Sequence, residues 1–423
     1  MSKYYKYESG LTLLYEQNNI NKSTGINISF DCGSRCDGKI PGLSHFCEHM
    51  LLSGTDKLSK QECLKRYFDF VRVNLYTTHK DICFTGNIIT TKLANYLDCV
   101  QDVICNSTFK AQVIQEEKKV IEQEIATDAD KHYRHADNFR LYETFEEECY
   151  KHSVLGSRES INSITSADVK RYIKKYFVNN NCIITVCSPL SFNKIKQIVK
   201  KNFEIKMPSN NLKPLPYKEQ KVVEQQKVKL LKKDIDKAFL SIVFKCDNKG
   251  PDLQYYVALA TMCNMIDDIT NGLTKELRID NSLVYGLWAD NKISKNNSCI
   301  SLNTEVFKEN IKPCLDVTIN YIKRIAIEGF TQQELDEELS RNEYYWQTRV
   351  PHPDHLLDSL IRYRWYGRFV PDKEIYEQTK NITLEQINKT AKDLFAQPNI
   401  KVLVYGNADK TDVYTLNQIQ KKF

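Results

Sequence analysis

Hydrophobic and polar positions follow the same pattern in two stretches of the chain. Residues 163–188 read SITSADVKRYIKKYFVNNNCIITVCS and align without a gap with residues 381–406, NITLEQINKTAKDLFAQPNIKVLVYG. Each stretch predicts an amphipathic helix that starts at a capping threonine, Thr165 or Thr383, followed by an asparagine-containing turn and an apolar strand. Two copies of one helix–strand unit indicate an internal duplication that produced two homologous domains.

The boundary between these domains is predicted where the pattern is lost. Residues 205–221, EIKMPSNNLKPLPYKEQ, combine three prolines with asparagine and lysine, a composition that resists regular structure. We therefore predict an N-terminal domain 1–204, a linker 205–221 and a C-terminal domain 222–423. Helices and adjacent pairs of strands alternate loosely in both halves. This favours an α+β fold with two α/β-sandwich-like domains over a doubly wound sheet.

Composition and charge exclude several classes of protein. The chain has 423 residues, of which 41% are apolar, and this is enough for two folded cores. The net charge of +6 comes from basic residues scattered in short pairs, which argues against a nucleic-acid partner. No run of apolar residues has the length of a secretory signal or a membrane span. The 14 cysteines lie in apolar segments and indicate reduced thiols, so we predict a soluble cytoplasmic protein.

The stretch HFCEH contains the residues of a metal-dependent hydrolase. His45, Glu48 and His49 lie within five positions, in a chain that has only 8 histidines. In a helix the two imidazoles project from one face, one turn apart, and can bind one metal ion. The carboxylate of Glu48 can then reach a water on that metal without being a ligand. This HxxEH arrangement is the inverzincin pattern, which pairs a Lewis acid with an adjacent general base.

A third metal ligand has to come from elsewhere in the chain. A catalytic zinc ion takes three protein ligands and keeps one position for water. Glu117 and Glu124 are seven residues, or two helical turns, apart and so share one face of a predicted helix. One of them can bind the metal while the other supports the site. We expect one Zn²⁺ ion per chain.

Several motifs together resemble the pitrilysin, insulysin and mitochondrial processing peptidase family. The stretch FDCGSRCDGKIPGLSHFCEHMLLSGT is similar to the amino-terminal signature of that family. The likeness continues through NLYT, residues 74–77, through the glutamate pair that ends at Glu124, and through NGLTKELRIDNSLVYGLWA in the second half. It covers nearly the whole chain and implies a short two-domain form, which is half of the clamshell that longer members build.

The resemblance also implies a role for individual residues. It assigns His45, His49 and Glu124 as zinc ligands, Glu48 as general base and Glu117 as their support. It further implies that Asn74 binds the substrate backbone. Arg278 and Tyr285 would stabilise the charge that develops on the carbonyl oxygen of the scissile bond.

The expected reaction is the hydrolysis of peptide bonds in peptides or unfolded precursor segments. Glu48 is expected to take a proton from the attacking water and deliver it to the leaving amine. An extended substrate is expected to add to a sheet edge near Asn74 through main-chain hydrogen bonds. Two alternatives stay open, namely a catalytically inactive partner or assembly subunit of the same fold, and a binding protein stabilised by zinc. A structural zinc in such a protein would have four protein ligands.

The resemblance also bears on assembly. The chain carries two repeat units, half the number with which the longer family members enclose a peptide. We therefore expect a homodimer with two zinc sites, and a heterodimer with a related subunit remains an alternative. In the homodimer, Arg278 and Tyr285 are expected to act on the zinc site of the other chain, with action within their own chain as the alternative.

Overall fold

The chain forms two compact units, here called the N-terminal unit and the C-terminal unit. The structure, a computed structural model, describes residues 2–18, 22–210, 222–246, 252–293, 298–348, 353–396 and 398–423. The N-terminal unit is composed of the segments Met1–Lys131, Glu148–Lys218 and Val350–Pro371. The C-terminal unit is composed of the segments His132–Glu147, Glu219–Arg349 and Asp372–Phe423. Each unit therefore includes a segment from the other half of the sequence.

Each unit is built on one β-sheet. The strands of the N-terminal unit are β1 (Ser2–Lys6), β2 (Thr12–Gln17), β3 (Ser23–Phe30), β4 (Val73–Thr77), β5 (Ile82–Ile89) and β6 (Cys182–Ser188). Those of the C-terminal unit are β7 (Lys227–Lys232), β8 (Ala238–Cys246), β9 (Leu287–Ile293), β10 (Ser298–Val306) and β11 (Ile400–Gly406). Side by side, the strands run in the order β1-β2-β6-β3-β5-β4 in the first sheet and β7-β11-β8-β10-β9 in the second.

Helices cover both sheets. In chain order they are α1 (Leu43–Leu51), α2 (Lys60–Phe68), α3 (Leu93–Asn106), α4 (Ala111–Asp128), α5 (His132–Phe145), α6 (Arg158–Ser163), α7 (Ser166–Tyr176), α8 (Phe192–Asn202), α9 (Leu253–Asp267), α10 (Ile311–Ile327), α11 (Gln332–Thr348), α12 (Pro353–Tyr366), α13 (Asp372–Lys380), α14 (Leu384–Phe395) and α15 (Leu416–Gln420). In the N-terminal unit, α1, α3, α7 and α8 pack into one apolar core that includes Phe46, Met50, Val100 and Val169. Because α1 belongs to this core, its position in the unit is fixed.

The two sheets share one topology, which confirms the predicted duplication and the α+β class. Without β1, the first sheet matches the second strand for strand, and in each sheet one pair, β2–β6 or β7–β11, is parallel. The predicted helix–strand copies are α7 with β6 and α14 with β11. Thr165 and Thr383 cap these two helices, and their side chains accept hydrogen bonds from the backbone N–H groups of Asp168 and Gln386. The hydrophobic pattern of the sequence therefore identified the same helix–strand motif in both halves of the chain.

One helix of each unit comes from the other half of the sequence. Helix α12 packs on β3, β5 and β6, and α5 packs on β8 and β11. Arg364 of α12 donates two hydrogen bonds, of 2.8 and 2.6 Å, to the buried carboxylate of Asp81 beside β5. Arg140 of α5 donates one of 2.7 Å to the hydroxyl of Ser301 in β10. Polar contacts therefore accompany the packing of α5 and α12, which we call the exchanged helices because each packs in the unit formed mainly by the other half of the sequence.

The predicted domain limits 1–204 and 222–423 remain a prediction. Of the predicted linker, residues 211–221 lie outside the described residues, while residues 205 and 206 belong to a short 3₁₀ turn, Glu204–Lys206. The contact-defined units are discontinuous in sequence because of α5 and α12. A single cut in the chain therefore does not reproduce them.

Two observations bear on the expected compartment. Most cysteines are buried, as expected for reduced thiols in apolar segments. Among the helices that the structure describes, none is both long and apolar enough to cross a membrane. The compartment itself stays a prediction.

Candidate metal centre

The start of α1 is fixed by a glycine and a carboxylate. Gly42 has a φ of +88°, and a Cβ atom at this position would lie 2.5 Å from the carbonyl oxygen of Leu155. Asp37 accepts hydrogen bonds from the backbone N–H groups of Gly42 and Ser44, both at 2.7 Å. A carboxylate at this end of a helix satisfies N–H groups that lack a helical partner and interacts favourably with the helix dipole. The first turn of α1 is therefore held from outside the helix.

Asp37 was not among the predicted site residues. Burial raises the pKa of its carboxyl to about 6, although the hydrogen bonds from Ser44 and Gly42 act in the opposite direction. An aspartate directly before a helix is a usual capping signal. Here five positions and a left-handed glycine separate the carboxylate from the helix, so the spacing in the sequence does not reveal it.

His45, His49 and Glu124 come together as a group that can bind one metal ion. In both histidines the Nε2 atom lies 3.6 Å from Oε2 of Glu124. One ligand atom from each of the three residues lies within 4.8 Å of the others. His45 is buried, while His49 and Glu124 are partly exposed. Two imidazole nitrogens and one carboxylate oxygen form a donor set that suits a catalytic zinc ion, and three protein ligands leave a position open.

Glu117 contacts the side of His49 that faces away from this group. Its Oε2 atom lies 3.2 Å from Nδ1 of His49, and its Oε1 atom accepts a hydrogen bond from Nζ of Lys60. The Glu117 side chain is only 4% exposed. Burial alone would raise the pKa of Glu117, but the bonds from His49 and Lys60 outweigh this effect and hold the pKa below its usual value. Lys60 was not singled out by the sequence pattern.

His49 is surrounded by negative charge. Burial opposes the charged form of its ring, yet hydrogen bonds to Glu117 and Glu124 and the charge of Glu48 raise its pKa to about 9. The pKa of Glu124 is lowered, first by the hydrogen bond from His49. The pocket that the three carboxylates form around the two imidazoles therefore favours a cation, whether a proton or a metal ion.

Glu48 lies next to the metal-binding group and is buried. Burial raises the pKa of its carboxyl to about 7, and the charge of His49 and a hydrogen bond from Thr77 act against this shift. Thr77 of β4 donates this bond to Oε2 of Glu48 at 2.8 Å. A carboxylate with a pKa near neutrality can both accept and release a proton, as a general base that later acts as an acid must.

Asn74 lies on β4, at the edge of the first sheet. Within the described residues, β4 pairs with β5 on one side only. The backbone carbonyl of Asn74 accepts a hydrogen bond of 2.9 Å from the hydroxyl of Tyr67, which ties β4 to α2. The free side of β4 can accept an extended peptide as an additional strand. Thr77 at the end of this strand donates a hydrogen bond to Glu48, so the sheet edge is connected to that carboxylate.

Arg278 and Tyr285 lie in the C-terminal unit. Arg278 belongs to a π-helical turn, Lys275–Asp280, and its guanidinium carbon lies 4.6 Å from the centre of the Tyr285 ring. Tyr285 is 81% exposed. The structure thus brings these two predicted residues together. In the N-terminal unit it groups His45, Glu48, His49, Glu117 and Glu124, while the exposed Asn74 lies on the strand whose Thr77 contacts Glu48.

Comparisons with known proteins support one family. The family model described as Insulinase (Peptidase family M16) matches residues 12–158, and that described as Peptidase M16 inactive domain matches residues 163–342. An uncharacterized zinc protease of Bacillus subtilis, YmxG, is 22% identical over 417 residues, covering 96% of this chain and 98% of that protein. A probable mitochondrial-processing peptidase subunit beta of Arabidopsis thaliana is 21% identical over 423 residues, covering 94% of this chain and 77% of that protein.

A solved structure has the same fold. The crystal structure of the first half of the periplasmic protease PqqL from Escherichia coli superimposes with a TM-score of 0.79 at 15% sequence identity. The match covers 100% of this chain and 96% of that one. At 15% identity the similarity shows the fold alone. Any statement about chemistry rests on the residues of this chain described above.

Proposed function

This chain belongs to peptidase family M16, and we propose that it is a zinc-dependent endopeptidase that cleaves peptides or unfolded segments of polypeptides. The observation that carries the proposal is the HxxEH helix. It presents His45 and His49 to Glu124 and holds Glu48 beside them in a buried position. These are the parts that metal-assisted hydrolysis of a peptide bond needs.

Zinc would be held by His45, His49 and Glu124, whose donor set fits it. When bound there, a zinc ion polarises the scissile carbonyl group and makes water a stronger nucleophile at neutral pH. In the neutral ring that binds a metal, Nδ1–H of His49 would donate a hydrogen bond to Glu117 and leave the lone pair of Nε2 available for the metal. We propose one zinc ion per chain.

Glu48 moves the proton in the proposed reaction. Its carboxylate takes a proton from the attacking water and transfers it to the nitrogen of the leaving amine. Thr77 binds Oε2 of Glu48 and thereby limits the rotation of the carboxylate. The buried position of Glu48, which raises its pKa to about 7, favours both directions of this transfer.

The substrate is proposed to bind along β4. A peptide that adds to the free edge of this strand forms main-chain hydrogen bonds, and the amide of Asn74 can bind its backbone. Only an extended segment can form these hydrogen bonds along a strand edge. We therefore propose peptides and unfolded polypeptides as the substrates. Because Thr77, at the end of the same strand, contacts Glu48, a peptide bound along this strand would lie close to the Glu48 carboxylate.

We further propose that Arg278 and Tyr285 stabilise the negative charge on the carbonyl oxygen and act on the zinc site of a second chain in a homodimer. Complementation tests this. Glu48→Gln lacks the base and Tyr285→Phe lacks a hydrogen-bond donor, so each variant alone should be nearly inactive. A mixed dimer regains one complete site. If the chains exchange and the mixture stays inactive, the two residues work within their own chain or have no part in the reaction.

The proposed function is tested with a diverse peptide mixture. The zinc-loaded protein is incubated with the mixture, and the products are identified by mass spectrometry. We expect defined cut sites that disappear when a chelator removes the metal and return when zinc is added. Light scattering on the same active preparation tests the dimer, and a strictly monomeric mass would exclude it.

A catalytically inactive partner subunit is the second candidate. The model of an inactive domain matches residues 163–342, outside the HxxEH helix, and one relative is a peptidase subunit; neither observation separates this candidate from an active peptidase. Absence of cleavage in a preparation with full zinc occupancy would support this candidate. Cleavage that depends on zinc and on Glu48 would exclude it.

A further inference from the structure

We propose that Lys60 is a positioning residue of the metal centre. It holds the carboxylate of Glu117 in the orientation that fixes the imidazole ring of His49. This inference rests on the proposed function, because it concerns how well the chain binds zinc. In the part of the chain that the structure describes, the ammonium of Lys60 contacts the carboxylate of Glu117, so we assign its effect on His49 to that carboxylate.

The contacts of Glu117 account for this role. Lys60 is the first residue of α2, and its Nζ atom donates to Oε1 of Glu117, while Nδ1 of His49 contacts Oε2. A buried carboxylate with donors on both oxygens cannot rotate without breaking a charge-assisted bond. Loss of the donor on Oε1 would leave this oxygen buried without its cation and allow the carboxylate to turn away from His49. The ring of His49 would then lose the acceptor that fixes its tautomer.

The C-terminal unit contains the same arrangement without the metal ligands. Helix α9 corresponds to α1, because it occupies the same place in the element order and packs on the edge strand β9, on α11 and on α14. Nδ2 of Asn264 in α9 donates to Oε1 of Glu338 at 2.8 Å, and Nε of Arg341 donates to Oε2 of Glu338 at 3.2 Å. Glu338, on α11, is buried, as Glu117 is on α4.

Comparing the two units distinguishes two effects of the basic side chain that binds the buried glutamate: support of helix packing, and orientation of a proposed metal ligand. In both units a side chain of the helix, the imidazole of His49 or the amide of Asn264, contacts a buried glutamate. That glutamate in turn binds a basic side chain. In the C-terminal unit the cation belongs to α11 itself, whereas in the N-terminal unit it comes from α2. Arg341 also pairs with Asp268, directly after α9, so both of its ion pairs support the packing of α11 against α9. Lys60 also binds a buried glutamate, Glu117, but the other partner of this glutamate is His49, a proposed metal ligand.

The experiment measures zinc affinity by competition with a chromogenic chelator in the full-length protein. We expect Lys60→Met to bind zinc about 10- to 100-fold more weakly than the wild type, the range typical of residues that orient metal ligands. Lys60→Arg keeps the cation and should bind zinc nearly as well as the wild type. Lys60→Gln is a second neutral variant, one that keeps a polar side chain, and should be weakened in the same direction.

Two matched controls isolate the effect. Lys57→Met removes an exposed lysine from the turn that precedes α2 and should leave zinc affinity unchanged. Arg341→Met breaks the corresponding contact in the C-terminal unit and should lower the melting temperature without changing zinc affinity. With Co²⁺ as the probe, the visible absorption spectrum should change in Lys60→Met and not in Arg341→Met, because only the former alters the ligand geometry.

The outcomes distinguish this inference from the proposed function. If the wild type binds zinc and Lys60→Met binds it equally tightly, the positioning role is wrong while the proposed function stands. Equal losses of zinc affinity in Lys60→Met and Arg341→Met would also overturn it, because the effect would then be one of general stability. If the wild type itself does not bind zinc, the proposed function fails first.

Discussion

The two units of this protein share five strands in the same order, and one helix packed against them differs in its chemistry. In the N-terminal unit, α1 carries His45, Glu48 and His49, and in the C-terminal unit the corresponding α9 ends within ATMCNMIDD. Asn264 of α9 contacts Glu338 as His49 contacts Glu117, so by these contacts Cys263 and Asn264 correspond to Glu48 and His49. The buried carboxylate behind each helix, Glu117 or Glu338, is present in both. The described residues of the C-terminal unit contain no group like that of His45, His49 and Glu124, yet the fold and the buried glutamate are present there. The fold therefore does not depend on the metal-binding residues.

The largest effect is expected from the proposed metal ligands. His45→Ala or Glu124→Ala removes one of three ligands and should abolish both stoichiometric zinc binding and cleavage. Asn264→Ala, at the corresponding place in the C-terminal unit, should retain one zinc ion per chain. Metal content by mass spectrometry after gel filtration measures the difference. One zinc ion retained in His45→Ala would contradict the assignment.

The next effect concerns the general base. Glu48→Gln should keep zinc but lose about 10²- to 10⁴-fold in turnover, because only proton transfer is removed. Cys263→Ala, its counterpart in the C-terminal unit, should keep its turnover. The test is the rate of cleavage of one peptide chosen from the mixture experiment, with zinc content measured in parallel. Undiminished turnover in Glu48→Gln would remove it from the mechanism.

A third prediction compares the two exchanged helices. Burial alone would raise the pKa of Asp81, but Arg364 outweighs it and holds the pKa below its usual value. The pair therefore stabilises the fold above the ordinary pKa of aspartate, near 4, and this contribution is lost as the pH falls through the lower pKa of the folded state. Arg364→Met leaves a buried charge and should cost about 3–5 kcal/mol at pH 7.

The matched variant in the C-terminal unit is Arg140→Met. Arg140 binds the neutral hydroxyl of Ser301 and the half-exposed Asp137, so its loss leaves no buried unpaired carboxylate and should cost less. Urea-induced unfolding at pH 7 measures both variants. Equal costs would mean that the burial of Asp81 is not what distinguishes the two helices.

The smallest effect is expected where the two units are most alike. Glu117→Gln keeps the shape of the side chain but weakens the acceptor for His49, and should reduce zinc affinity about 10- to 100-fold. Glu338→Gln makes the same change beside Asn264 and should leave zinc affinity as it is. If Glu117→Gln lost zinc as completely as His45→Ala, Glu117 would have to be counted among the ligands.

The parts of the fold that depend on neighbouring residues were predictable from the sequence. The repeated helix and strand, with their capping threonines Thr165 and Thr383, follow from local periodicity, and so does the shared face of His45 and His49. The distance between Glu117 and Glu124 likewise follows from the geometry of one helix. The grouping of both glutamates with α1 was suggested by chemistry, since a catalytic metal needs a third ligand.

The remaining parts depend on contacts between distant residues. The exchange of α5 and α12 has no local signal, because it rests on pairs such as Arg364 and Asp81, which are 283 positions apart. Lys60 is 57 positions from Glu117 and reads in the sequence as an ordinary basic residue at the start of a helix. Asp37 caps α1 from outside the usual capping window. Long-range partners of this kind are visible only once the chain is folded.

The exchanged helix α12 also has a consequence for the order in which the protein can fold during synthesis. The strands β3, β5 and β6 are complete once residue 188 has left the ribosome, but the helix that packs on them ends at Tyr366. Until then, Asp81 lacks the guanidinium that compensates its burial. A nascent chain released early would therefore expose one face of its first sheet, a surface that favours aggregation and binding by chaperones. The HxxEH helix ends at Leu51, yet the unit that contains it is finished only after α12 has been synthesised, more than 300 residues later.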